Sequence, residues 1–198
     1  MATQPFADDK DWTWVLNSLC AECEFEVRDF AREEISALIR ANAGEWLSIL
    51  EGDDTTLRQR PRADRWSALE YAAHVRDVFD LYDYRLGLML AEDGPHYPNW
   101  NQDDTALQKD YANSDPARVA VELAAAGERL TSRFETVSGE DWGRTGTAAM
   151  GLRSPLKASP AISSTTRCIT CTMFEPVWLS SALAVGDAEP DSLEEGVR

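Results

Sequence analysis

An all-α helical bundle is the fold class this sequence predicts, and three periodic apolar faces carry the prediction. Ala68, Ala72, Val75, Phe79, Tyr82, Leu86 and Met89 recur at alternating steps of four and three, the spacing of a bundle seam. Ile35, Leu38, Ile39, Trp46 and Ile49 make a second face, and Val119, Leu123, Ala126, Leu130 and Phe134 a third. Hydrophobic residues are 43% of a 198-residue chain, enough for one domain with a sizeable core.

Taken in order, residues 1–10 are a polar lead-in, and Trp12, Trp14, Val15 and Leu16 form an aromatic anchor for the bundle's outside. Cys20 and Cys23 follow in a loop. They are read as small half-buried thiols, because Glu22 and Glu24 have the wrong sign to favour a thiolate. The first bundle helix spans 31–50. Asn42 interrupts its face and needs a hydrogen-bond partner if buried, and Gly52 suits a left-handed C-terminal cap. Residues 53–65 form a charged, Pro-containing connection read as a solvated loop.

Ser67, with Glu70 three residues on, is a capping-box start for the second helix. His74 lies with Tyr71, Val78 and Leu81 on the stripe beside the seam, where an imidazole nitrogen can face the interior. By itself it reads as a hydrogen-bonded core histidine. Asp77, one turn on, could share its face, although a helical aspartate is ordinarily solvated.

The loop AEDGPHYPNWNQDD then leaves regular structure and is of a kind that roofs pockets. Its chemically interesting members are His96, expected to be exposed, Trp100, expected to plug the bundle end, and Asp103. A helical turn is expected at 105–111. The third long helix has Asp115 as N-cap, Pro116 at its first position and a body over 118–137, closed by SGEDW.

From about Thr145 the pattern changes. Pro cuts SPLKASPAISSTTRCITCTMFEPVWLSS into Ser/Thr-rich pieces on which no helical face can be drawn. Residues 1–147 are therefore assigned to the bundle domain and 148–198 to an irregular tail. Three helices leave an apolar trough that something must fill.

Asp and Glu number 35 against 19 Lys and Arg, a formal charge of −16, with no local basic cluster. Such a chain repels polyphosphate and anionic lipid, so nucleic acid and membrane are set aside as partners. The charge is most simply a solubility device. No apolar run is long enough to span a bilayer, and the N-terminus has no secretory pattern, which makes the cytoplasm the expected location. Cys20/Cys23 and Cys168/Cys171 form two C-x-x-C pairs, but their separation far exceeds that of a zinc ribbon.

The segment WSALEYAAHVRDV resembles the second helix of DinB-like four-helix bundles, particularly proteins similar to the metal-binding N-terminal domain of mycothiol-dependent maleylpyruvate isomerase. DWTWVL, CAEC, RLGLMLAED and NWNQD follow the same family order, from about residue 10 to 147. The resemblance implies an up-down bundle holding a divalent metal, zinc or nickel, through three ligands: His74 and an H-x-x-x-H pair on the fourth helix. It also implies mycothiol as cosubstrate, with a small-molecule thiol and an electrophile as partners in a transferase or isomerase reaction.

The chain departs from that pattern: no histidine follows His96. The fourth helix is thus expected to be missing or degraded and the enzyme inactive as written. Back-translated one base out of register, 149–175 can encode GDGAPFTVESFARYFIHDPVHHLYDVR, which contains H-D-P-V-H. Thr165 and Ile169 would then stand where two ligand histidines were encoded. A frameshifted reading of 148–198 and a diverged acidic tail are the two accounts. Function divides likewise, between a thiol-dependent enzyme with an incomplete metal site and a non-catalytic bundle binding a small molecule or protein. An unfilled trough would promote homodimerisation.

Overall fold

The computed structural model describes residues 31–148 and 153–155. Three long helices dominate it: α1 (Ile35–Leu50), α3 (Ala68–Ala91) and α5 (Pro116–Glu135). The short α2 (Asp54–Arg58) precedes α3, and α4 (Gln102–Gln108) lies between α3 and α5. The polar lead-in 1–10, the Trp12–Leu16 anchor, the Cys20/Cys23 pair and, in the proposed tail, Cys168/Cys171, Thr165 and Ile169 lie outside the described residues. So does the question of a fourth long helix.

Helix α5 packs along both α3 and α1, which touch each other much less. Its inward residues Val119, Leu123, Ala126, Leu130 and Phe134 are all buried. On α1, Ile35, Ile39 and Trp46 are buried, with Leu38 and Ile49 half-buried. On α3, Ala72, Val75, Phe79, Leu86 and Met89 are buried, with Ala68 and Tyr82 at the margin. The apolar periodicity therefore selected the right faces. Ion pairs bind the outer edges of the same contacts: Arg129 to Asp80 at 2.6 Å, Arg133 to Asp83, and Arg40 to Glu128 and Glu135 at 3.2 and 2.9 Å. Most are well exposed and contribute little each.

The predicted helix starts hold. The Ser67 hydroxyl accepts from the Glu70 N–H at 3.3 Å, and the Glu70 carboxylate accepts from the Ser67 N–H at 2.8 Å. Asp115 caps α5 by accepting from the Ala117 N–H at 3.3 Å, with Pro116 at the first position. Ser138 and Asp141 form a second capping box around a short 3-10 turn, where Trp142 stacks on Phe134.

Several local expectations are corrected. Gly52 follows α1 without a left-handed cap; among the described residues positive φ occurs at Gly94, Asp110 and Gly139. The 53–65 connection contains α2, because Asp53 caps it by accepting from the Thr56 N–H at 3.0 Å. Its Arg60 is not solvated but clasps the buried Glu70 carboxylate, with Nε donating at 2.9 Å. The turn expected at 105–111 begins earlier as α4, because Asn101 accepts from the Asp103 and Asp104 N–H groups.

The loop after α3 is not wholly irregular. Gly94, at φ +60°, turns the chain into β1 (His96–Tyr97), which pairs in parallel with β2 (Thr145–Ala148); β2 pairs antiparallel with β3 (Arg153–Pro155). This sheet is too short for any two-residue alternation to be read beforehand. Trp46, Ile39 and Phe79 are sealed from solvent, and the exposed large apolar side chains among the described residues are Tyr84, Leu107 and Val121.

Gly127 sets the spacing of α1 and α5, since a Cβ there would lie 3.2 Å from the Ala43 Cβ and 3.5 Å from the Phe79 ring. A leucine at 127 must push these helices apart. Gly127→Leu is expected to lower stability by about 1–3 kcal/mol, measured by urea denaturation with unchanged helicity in the folded baseline.

Candidate functional site

The candidate site is built on the second turn of α3, where His74 is 3% exposed. Trp66, just before the Ser67 cap, places its ring centroid 5.4 Å from the imidazole at a 57° tilt. Trp100, arriving from the loop after β1, lies 5.4 Å away on a nearly parallel plane. The imidazole is therefore flanked by two indoles. Trp66 also touches Tyr71 at 5.3 Å and meets Tyr111 edge-on at 6.2 Å, which backs this aromatic wall. Tyr71 and Val78, the stripe neighbours expected from the sequence, are buried, and Leu81 is half-buried.

The Arg60–Glu70 pair and the capping box hold the start of α3 and so fix the direction from which His74 projects. Burial of Glu70 is offset by charge-assisted bonds from Arg60 and the Ser67 N–H.

Asp77 is not the solvated aspartate the sequence suggested. It is 5% exposed, and both carboxylate oxygens are engaged. Oδ1 accepts from Arg76 Nε and Lys109 Nζ, each at 2.9 Å, and Oδ2 accepts from the Tyr111 hydroxyl. Arg76 in turn donates to Glu122 of α5 at 2.7 Å. Burial alone would raise the Asp77 carboxyl, but the bonds from Arg76, Tyr111 and Lys109 outweigh it and hold the group below the usual range. Burial, then the bond to Asp77, drives the Tyr111 phenol far above its ordinary value. Asp77 thus joins α3, the chain around Tyr111 and, through Arg76, α5.

His96 is exposed on β1, as expected, whereas His74 is buried. Asp103 sits half-buried in the first turn of α4. Trp100 does more than close an end, because its ring covers the imidazole. Asn42 is buried on α1, and neither its amide nitrogen nor its oxygen has a partner among the described residues. The sequence reading identified this need but not the lack.

A divalent metal can be tested against these donors. Catalytic zinc sites ordinarily use three protein ligands. Here one imidazole is present inside the bundle, Asp77 is saturated by cationic and phenolic donors, and His96 is remote in exposure. Among the described residues no three His, Cys, Asp or Glu side chains converge on a metal position. With two histidines in the whole chain, a three-imidazole set cannot be made. The donor set does not fit the centre implied by the resemblance.

Sequence reasoning missed Arg60, Arg76, Lys109, Tyr111 and Arg85 as determinants of this region. A buried ion pair leaves no periodic trace, and the available signal was an acid one turn from a predicted interior histidine.

This arrangement defines a helical-bundle class of protein with an interior histidine on its second long helix. The family model of the DinB superfamily matches residues 38–161, and the chain belongs to that superfamily. Among solved structures it is similar to YfiT from Bacillus subtilis, described as a probable metal-dependent hydrolase with an unusual four-helix bundle topology. The TM-score is 0.64 at 17% identity, covering 77% of this chain and 87% of that one. It is also similar to mycothiol-dependent maleylpyruvate isomerase, with a TM-score of 0.60 at 16% identity over 74% of this chain and 62% of the isomerase. No curated protein matches the chain in sequence. At these identities the likeness establishes the fold alone.

Two outcomes follow. Asp77→Asn removes the charge facing Arg76 and Lys109 and is expected to destabilise by about 3 kcal/mol, because it leaves Arg76 buried with Glu122 alone. The sign of the pH effect is fixed by the depressed folded-state carboxyl. Its contribution is complete above the unfolded Asp value of about 4 and disappears as pH falls through the lower folded value. Urea titrations from pH 7 to pH 2 should converge for the two proteins at the acid end. Asn42→Leu should raise the urea midpoint, by about 1 kcal/mol or more of stability, since it removes two unsatisfied buried groups.

Proposed function

We propose that this protein is, by descent, a metal- and thiol-dependent transferase or isomerase whose metal site is incomplete in the chain as written. What persists is a bundle able to bind a small molecule against the His74 face. The observation carrying this reading is that His74 projects inward as the family's second-helix ligand would, while Asp77, the nearest carboxylate on its helix, has both oxygens occupied. A zinc or nickel ion and mycothiol, with an electrophilic partner, belong to the ancestral activity. Support comes from superfamily membership and from neighbours described as metal-dependent and mycothiol-dependent.

The frameshift account of 148–198 is part of the same proposal, as are its assignment as a separate tail and the possible homodimer. No helix among the described residues is long and apolar enough to cross a membrane, and a cytoplasmic location is proposed with the rest. The alternative, a non-catalytic bundle that binds a small molecule or a protein partner, is favoured by no particular contact among the described residues.

Metal analysis of the purified full chain decides the central point. Well under one equivalent of zinc or nickel is expected, unchanged in His74→Ala. One equivalent that disappears on that substitution would restore a working centre and overturn the proposal. The coding DNA decides the frameshift: nucleotides that do not encode H-x-x-x-H in the neighbouring frame would remove it. A restored-frame protein is expected to bind one divalent ion and to lose it in His74→Ala.

A further inference from the structure

We infer that residues 98–110 form a gate over His74, with Trp100 as the covering group and Arg85 as the clasp. This rests on the reading of His74 as the ligand-facing residue, and it names what controls access to it.

The segment is held firmly at its ends and weakly between them. Tyr97 and Tyr111, on either side, are 3% and 1% exposed, whereas every residue from 98 to 110 is exposed or half-buried. Before the gate, β1 is tied to β2, with the Thr147 N–H donating to Pro95 O at 2.9 Å. At its far end Lys109, and just beyond it Tyr111, are fastened to Asp77. Asp110 lies between those two in the left-handed region at φ 49°, a strained position for a residue with a Cβ and a natural pivot. Helix α4, inside the segment, contributes no buried side chain. Low burial between two rigid anchors is the condition for local opening without global unfolding.

Arg85 holds the gate shut at its near end. Its guanidinium lies 4.8 Å from the Tyr97 ring and 5.9 Å from the Tyr82 ring, and Nη2 donates weakly to Pro98 O at 3.4 Å. The chain is thereby aligned along α3 so that Trp100 arrives flat on the imidazole. A ligand approaching His74 from this side must displace the Trp100 indole, which stacks on the imidazole and packs at the edge of the core from a segment with no fully buried side chain. The gate therefore selects for planar or apolar groups able to replace the indole against His74.

The test is chemical modification of the full-length protein by diethyl pyrocarbonate, read peptide by peptide. The exposed His96 serves as the internal reference. In the wild type His74 should react far more slowly than His96. Trp100→Ala should raise the His74-to-His96 rate ratio roughly tenfold or more, and Arg85→Met should raise it severalfold while leaving the indole in place. A ratio unchanged in both variants, or a wild-type His74 as reactive as His96, overturns the gate.

Should Trp100→Ala lose its cooperative melt, hydrogen exchange of the wild type decides. Amides 102–109 should exchange through an opening that leaves α3 protected, and exchange only through global unfolding would overturn the inference. None of these measurements involves metal or thiol, so failure of the gate leaves the proposed function standing, and the converse holds.

Discussion

A single buried carboxylate, that of Asp77, imposes the arrangement around it. Removing an anion from water is costly unless positive charge and hydrogen bonds replace the solvent. Arg76, Lys109 and Tyr111 supply that replacement from the adjacent position on α3 and from the chain after α4. Because Arg76 also reaches Glu122, the same charge fixes the seating of α3 on α5. Tyr111, drawn to Asp77, brings its ring against Trp66, and Trp66 supports His74. The aromatic wall around the imidazole is thus positioned by electrostatics one turn away.

The three long helices were legible because their packing has a period. Faces such as Val119 to Phe134 need only count intervals, and caps at Ser67 and Asp115 are local chemistry over two or three residues. The Gly/Pro-rich loop was identified as a roof and Trp100 as an end plug, without the side chain that the indole covers. The misreadings share a physical cause. Arg60 and Asp77 were judged by residue type, yet their environments depend on partners ten to more than thirty residues distant. The three short strands were invisible because two residues pairing across a long separation have no local signature. His74 itself was found by combining a face with a family pattern, neither of which specifies what surrounds the ring.

Membership of the DinB superfamily and the four-helix-bundle likeness concern the scaffold, and a scaffold does not carry its site automatically. The fold is held here by the aliphatic and aromatic seam of α1, α3 and α5, and the Arg60–Glu70 and Asp77 networks fix α3 within it.

Magnitudes decide which feature limits the site. An aromatic stack such as Trp100 on His74 is worth about 0.5–1.5 kcal/mol beyond the area it buries. A complete structural zinc site contributes roughly 10–16 kcal/mol in apparent binding free energy. If three good donors met at His74, the indole would be displaced with most of that energy left over. The covering tryptophan can therefore govern the rate and shape of access, but it cannot by itself prevent a metal centre. Among the described residues the donor set is the limiting feature: one interior imidazole beside a carboxylate already committed to Arg76, Lys109 and Tyr111. Freeing Asp77 would not repair this, since stripping its partners would leave Arg76 buried beside the incoming cation, and like charges at that separation oppose binding. A functional metal site in this bundle must draw its further ligands from outside α3.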